Sequence, residues 1–182
     1  MSRLTSVQPE NATGKTADLF SAIKRAMGKV PNAYQTIGIA PDILGQALSH
    51  NATLAKSQLN KQEIEAVNLV VSEVSGCDYC LAAHTLTGKM AGYSVEQIKA
   101  LRRGEFPEDP HIDALVKFVK TLVTTRNTLP EETVSRFLAA GFSDRQVVEV
   151  ISAVSAILFT NMVNRVNAVS YTHLRAHETA AN

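Results

Sequence analysis

Apolar residues in this chain recur at spacings of three and four, and nowhere do they alternate over the length of a strand between turn residues. That pattern restricts the fold to helices. Residues 15–27, KTADLFSAIKRAM, put Leu19, Phe20, Ile23 and Met27 on one stripe. Thr13 is expected to cap this helix, and Gly28 followed by Pro31 to end it. Pro41 opens a second helix, DILGQALSHNATLA. Asn60 and Glu63 have capping-box spacing and open a third, with its stripe at Ile64, Val67, Val71 and Val74. It runs to Ser75, where Gly76 breaks it. A helix over 78–91 ends at Gly92, and Ser94 caps VEQIKALRR, stopped by Gly104 and Pro107. HIDALVKFVKTLVTTR follows, and Pro130 and Ser143 open the last two, PEETVSRFLAA and DRQVVEVISAVSAILFTNMVNRV. Short connections between these segments predict one all-α, single-domain helical bundle over residues 1–169. The polar end, 170–182, is expected to be a disordered or foreign tail outside the fold. Its His173 and His177 stand four apart.

A chain of 182 residues with 45% hydrophobic and 19% charged side chains has enough apolar material for one real core. The formal net charge of +1 gives no electrostatic reason to expect nucleic acid or an anionic membrane as a partner. MSRLTSVQPENATGK has no basic region leading into an apolar one, and the most apolar segment, 147–159, contains Glu149 and is too short to cross a bilayer. The expectation is a cytoplasmic protein with no membrane contact. In such a reducing compartment two cysteines are not a permanent staple, and the sequons at Asn11 and Asn51 carry no meaning.

Both cysteines lie in EVSGCDYCLAAHT, with a histidine four residues after the second. At about 100° per residue, Cys77, Cys80 and His84 fall within roughly 60° of one another on a helix. The cysteines sit at or near the helix start, where free N–H groups and the positive end of the dipole favour thiolate over thiol. A nearby imidazole accepts a thiol proton or stabilises the anion, and two thiols within reach supply an attacker and a resolver. Zinc is an alternative, with Cys77, Cys80, His84 and a carboxylate as ligands, although structural zinc sites pair one CxxC with a second knuckle. A c-type haem is excluded, because Leu81 follows the second cysteine. Two buried cysteines acting as small hydrophobes beside a core histidine remain the plainest alternative. His50 and His111 read as surface or capping residues, and Glu73 as a surface one. Asn161 and Asn164, on an otherwise apolar helix, are candidate interface or pocket groups. No phosphate loop or GxSxG pattern is present.

The stretch EAVNLVVSEVSGCDYCLAAHT resembles the alkylhydroperoxidase D-like proteins of the carboxymuconolactone decarboxylase family: a glutamate, eleven residues, CxxC, three residues and a histidine. The resemblance extends through LSHNATLAKSQLNKQEIEAV and GKMAGYSVEQIKAL, and more loosely over Lys29 to Asn167. It implies an all-helical fold and a homo-oligomer, a trimer or hexamer. It also implies peroxide reduction by a dithiol–disulfide cycle, with no metal or flavin cofactor and with an external thiol or dithiol as reductant. Cys80 would attack the peroxide and become a sulfenic acid, and Cys77 would condense with it. Glu65 and His84 would form a proton relay through water. Glu65 rests on the resemblance, since it lies off the apolar stripe where a solvated glutamate is the alternative. An antiparallel hairpin about Gly76 would set Glu65 about 16 Å before the turn and His84 about 12 Å after it, at a shared level. Where the best-described member has a histidine before the second cysteine, this chain has Tyr79, which bears on the choice of reductant. Two rivals stand beside this reading. One is a lactone decarboxylase on the same fold, whose branch does not depend on the cysteine pair. The other is a redox-sensing oligomeric module with little turnover.

Overall fold

The computed structural model describes residues 2–171. Among them are nine α-helices and no strand: α1 (Gly14–Met27), α2 (Asn32–Ile37), α3 (Pro41–Leu54), α4 (Lys61–Ser75), α5 (Asp78–Met90), α6 (Val95–Arg103), α7 (Pro110–Thr124), α8 (Glu131–Ala139) and α9 (Asp144–Asn167). Three helices start as the sequence predicts, with reciprocal capping boxes at Asn60/Glu63, Ser94/Gln97 and Ser143/Gln146. Thr13 occupies the cap position of α1, but its side chain makes no capping hydrogen bond.

Helix α4 lies at the centre, packed against α5, α6, α7 and α9. The periodicity predicts one buried stripe; the structure buries Ala66, Val67, Leu69, Val70 and Val71 completely, while Val74 at the exit is 41% exposed. A helix enclosed by four neighbours hides several faces, so a single-stripe reading underestimates it. Each fully buried Leu or Val there stabilises the fold by about 1.5–3 kcal/mol. Gly76 then reverses the chain at φ +63°, a conformation glycine adopts without steric penalty, and α5 returns alongside α4.

Helix α2, with six residues, is too short for periodicity to reveal. It forms because Pro31 starts it and the Phe20 ring of α1 seats on Gly38 just past its end. A Cβ at Gly38 would lie 2.6 Å from Phe20 Cζ. Helix α9 has 24 residues, well beyond the apolar segment 147–159, and by length and composition it is long enough to cross a membrane. In the fold it packs on α2, α3, α4 and α5, burying Asn161, Asn164 and Asn167. Asn167 also stitches the N-terminal segment to the body: its Oδ1 accepts from Leu4 N (2.6 Å) and its Nδ2 donates to Thr36 Oγ1 (2.9 Å). At the far end, Ser170 and Tyr171 meet the body: Asn32 Nδ2 donates to Ser170 O (3.1 Å), and Tyr171 packs near Tyr79 and Val169. The rest of the expected tail, with His173 and His177, lies outside the described residues.

His111 is more than the surface or capping residue its spacing suggests. Its Nε2 meets Glu63 Oε1 at 2.9 Å and its Nδ1 meets the Ala140 carbonyl at 2.8 Å. Its ring stacks on Phe142, with centroids 3.8 Å apart, and Phe142 in turn stacks on Phe137. Both ring nitrogens face acceptors, so the imidazolium satisfies both. His50 likewise bridges α3 to α9 through Ser152 Oγ at 2.7 Å.

Two predictions follow from this packing. Gly38→Ala should lower stability by about 1–3 kcal/mol, because the buried Phe20 ring has no room to retreat; a urea melt with an unchanged midpoint would refute the close approach. Burial pulls the His111 pKa down, but the hydrogen bonds its ring N–H groups donate to the Ala140 carbonyl and Glu63 outweigh it and hold the pKa above its ordinary value. A raised folded pKa gives stability that is full below about pH 6.5 and fades as pH rises through the folded value. Thermal melts from about pH 5.5 to 9 should therefore show the advantage of wild type over His111→Gln shrinking with pH. A constant difference would mean that the charge plays no part.

Candidate functional site

The chain reversal at Gly76 brings together the residues that the motif marks. Cys77 occupies the cap position of α5 in extended backbone (φ −100°, ψ 92°), and Cys80 lies in the first turn. Cys77 is therefore outside the helix proper, and its sulfur accepts from Cys80 N at 3.3 Å. The two cysteines form a disulfide, with Cα atoms 5.2 Å apart. Both are buried, at 2% and 3% exposure.

Glu65 and His84 meet across the α4–α5 hairpin, with Oε2 and Nδ1 2.9 Å apart. Thr87 Oγ1 also donates to Glu65 Oε2 at 2.7 Å, and Asn68 Nδ2 reaches Oε1 at 3.5 Å. The solvated position allowed for Glu65 does not occur: its side chain is largely buried. Burial raises its pKa, but the charge of His84 and the hydrogen bonds from His84, Thr87 and Asn68 outweigh that and keep it below the ordinary carboxylate value. Among the described residues, no hydrogen bond joins His84 to either sulfur; it stands one helical turn beyond Cys80. Glu73 is 41% exposed at the side chain and pairs with Arg102 Nε at 2.6 Å, on the surface as the sequence suggests.

Two polar residues of α9 reach the same region. Asn164 Nδ2 donates to Cys80 Sγ at 3.3 Å, wholly buried. One turn earlier, Ser72 Oγ on α4 donates to Asn161 Oδ1 at 3.5 Å. Spacing singles out these asparagines on an apolar helix, but it cannot say that they face the cysteines. Thr87 and Asn68 went unread. The available signals were that Thr87 stands three after His84 and Asn68 three after Glu65, so each shares a helix face with its partner.

Tyr79, between the cysteines, is buried, and its oxygen is hydrogen-bonded to backbone of Ala33 and Asn32 at the start of α2. Burial raises its pKa, with those bonds opposing. It therefore stays a neutral phenol that ties α5 to α2. A cavity of about 270 Å³ is lined by Tyr34, Ile64, Asn68, His84, Ile157 and Thr160 among others. A separate cavity of about 340 Å³ is lined by Cys77.

The profile of the carboxymuconolactone decarboxylase family matches residues 43–120. The matched region runs from α3 into α7 and holds Glu65, Cys77, Cys80 and His84. The fold is that of alkylhydroperoxidase D-like proteins. The alkylhydroperoxidase AhpD core of an uncharacterised peroxidase-related protein from Ralstonia eutropha superposes with a TM-score of 0.85 at 15% identity, over 100% of this chain and 97% of that one. The debrominase Bmp8, in a variant complexed with 2,3,4-tribromopyrrole, superposes at 0.84 with 16% identity over the full length of both chains. A peroxidase-related protein from Silicibacter sp. gives 0.78 at 22% identity over 92% of each. No curated protein sequence matches the chain.

The depressed pKa of Glu65 sets the sign of an acid-stability prediction. Its contribution is present above about pH 4.5 and lost as pH falls through the lower folded value. Acid unfolding of Glu65→Gln, which cannot ionise, should therefore lose less stability between about pH 5 and 2 than wild type. Parallel acid limbs would show that the carboxylate is not stabilised as an anion.

Proposed function

We propose that this protein is a thiol-dependent oxidoreductase that reduces hydrogen peroxide or organic hydroperoxides with the Cys77/Cys80 pair. The observation that carries the reading is the Glu65–His84 pair, mostly buried and one turn from a CxxC placed at a helix start. In the reduced enzyme the Cys80 thiolate attacks the peroxide; the O–O bond breaks, Cys80 becomes a sulfenic acid, and the departing oxygen takes a proton to leave as water or alcohol. Cys77 then attacks the Cys80 sulfur, water departs, and the disulfide forms. Two external thiols, or one dithiol, return two electrons. His84 takes the thiol proton through water and delivers it to the leaving oxygen. Glu65 orients the imidazole and stabilises its positive charge, as a third group does beside other activated nucleophiles. On the protein side the redox change is all on sulfur, which hands its two electrons directly to the peroxide, so the cycle has no need of a metal or flavin.

A reducing, cytoplasmic setting suits such a cycle. A homo-oligomer, trimer or hexamer, would cover exposed apolar residues such as Val148, Ile151, Met162 and Val166 on α9. A second reading has support from the complex of the debrominase with 2,3,4-tribromopyrrole and from the mostly apolar cavity that ends at His84. There the same dithiol would replace carbon-bound halogen by hydrogen, releasing halide and a proton and ending as the same disulfide.

Glu65→Gln should slow peroxide loss in the presence of a dithiol by about ten- to a thousandfold, while Glu73→Gln leaves it nearly unchanged. The two variants should be assayed side by side with hydrogen peroxide, cumene hydroperoxide and a halogenated pyrrole. Turnover of the pyrrole alone would move the assignment to dehalogenation, and equal small effects of the two variants would remove Glu65 from the relay.

A further inference from the structure

The two sulfurs of the disulfide do not have the same surroundings. Cys77, not Cys80, forms part of the wall of the 340 Å³ cavity between the start of α5 and the end of α9. Gly76, Tyr79, Val169 and Tyr171 complete much of that wall, with Asp78 and Arg165 also on it. Asn164 lines the same cavity, yet its amide N–H is directed at the other sulfur, Cys80 Sγ, at 3.3 Å. Its own Oδ1 is buried with no hydrogen-bond partner among the described residues. Among those residues, the side chain's hydrogen bond goes to a disulfide sulfur, which is a weak acceptor. A thiolate in that place would be a far stronger one, because hydrogen bonds to an ionised partner are roughly twice as strong as neutral ones.

We propose that Asn164 makes the disulfide directional: a small thiol enters the cavity and attacks Cys77, and Cys80 departs as the thiolate that Asn164 stabilises. The step balances. The incoming thiolate sulfur bonds to Cys77 Sγ, the Cys77–Cys80 bond breaks, and its electron pair leaves on Cys80 Sγ. A second thiol, from the same dithiol or another molecule, then attacks the mixed disulfide and releases the Cys77 thiol, and the reductant leaves oxidised. The reductant class follows from access. Cys77 is 2% exposed and lines a cavity of about 340 Å³, which favours a low-molecular-weight thiol over the flat face of a folded domain. Reducing equivalents enter at Cys77, while the cavity lined by His84 shares no lining residue with this one. Asn164 touches a reacting sulfur and so belongs to the catalytic groups of the exchange. The proposal rests on the dithiol-cycle reading above.

The test uses the oxidised full-length protein, excess cysteamine and no peroxide. Short reactions are quenched in acid, free thiols are alkylated, and the peptide containing both cysteines is sequenced by mass spectrometry. The expected product carries cysteamine on Cys77 and the alkyl group on Cys80; the reverse assignment would overturn the proposal. Asn164→Ala should slow the first exchange step about tenfold, and Asn164→Asp should slow it further, because a carboxylate opposes the leaving thiolate. In a Cys77→Ser background, Asn164→Ala should raise the Cys80 thiolate pKa read at 240 nm, which a merely structural role would not do. Unchanged rate and unchanged thiolate pKa in variants that melt like wild type would remove Asn164 from the mechanism. Should those variants fail to fold, the position of cysteamine on wild type decides alone. Since no peroxide is used, failure here is distinct from failure of the peroxidase reading, which would appear as normal exchange without peroxide turnover.

Discussion

The enclosure of α4 governs the rest of the molecule. A helix with neighbours on several sides has little room for a polar side chain facing water, so each polar group it carries must find a partner on the element packed against it. Glu63 meets His111 on α7, Glu65 meets His84 on α5, and Ser72 meets Asn161 on α9. The first of these pairs is structural and the second lies at the site, but they arise from the same requirement.

That view explains what sequence could and could not show. The helices with caps and a full apolar period were legible, because caps and periodicity are local. So were the hairpin about Gly76 and the shared level of Glu65 and His84, which follow from helical rise alone. Helix α2 was not, since six residues carry no period and its formation depends on Phe20 reaching Gly38 from another helix. The roles of His111 and Asn164 were hidden for a related reason. A histidine or asparagine has the same local signature whether it meets solvent or a partner tens of residues away. His111 pairs with Glu63 at a separation of 48 and Asn164 with Cys80 at 84. The third stripe was misjudged in the opposite direction: it assumed one buried face where the bundle supplies several.

Tyr79 shows how a departure from a family pattern is absorbed. The position between the cysteines does not carry an ionisable imidazole here. It carries a phenol held by the backbone at the start of α2. The residue between the sulfurs serves to fix the start of α5 against its neighbour. The C-terminal residues Val169 and Tyr171 pack on the same cluster, so the end of the described chain borders the chemistry.

The disulfide spans a sequence separation of only three, and that has a consequence for the energetics of the cycle. A cross-link restrains the unfolded chain in proportion to the logarithm of the loop that it closes, and a loop this short is worth about 2 kcal/mol, against nearly 5 for one of a hundred residues. Opening the bond leaves the unfolded ensemble almost as it was. The bond joins Cys77, at the cap of α5, to Cys80 in its first turn, so the covalent change on opening it lies at that turn. The cross-link therefore restrains the unfolded chain far less than a long-range one would, and the fold rests on the packing of its helices rather than on this bond.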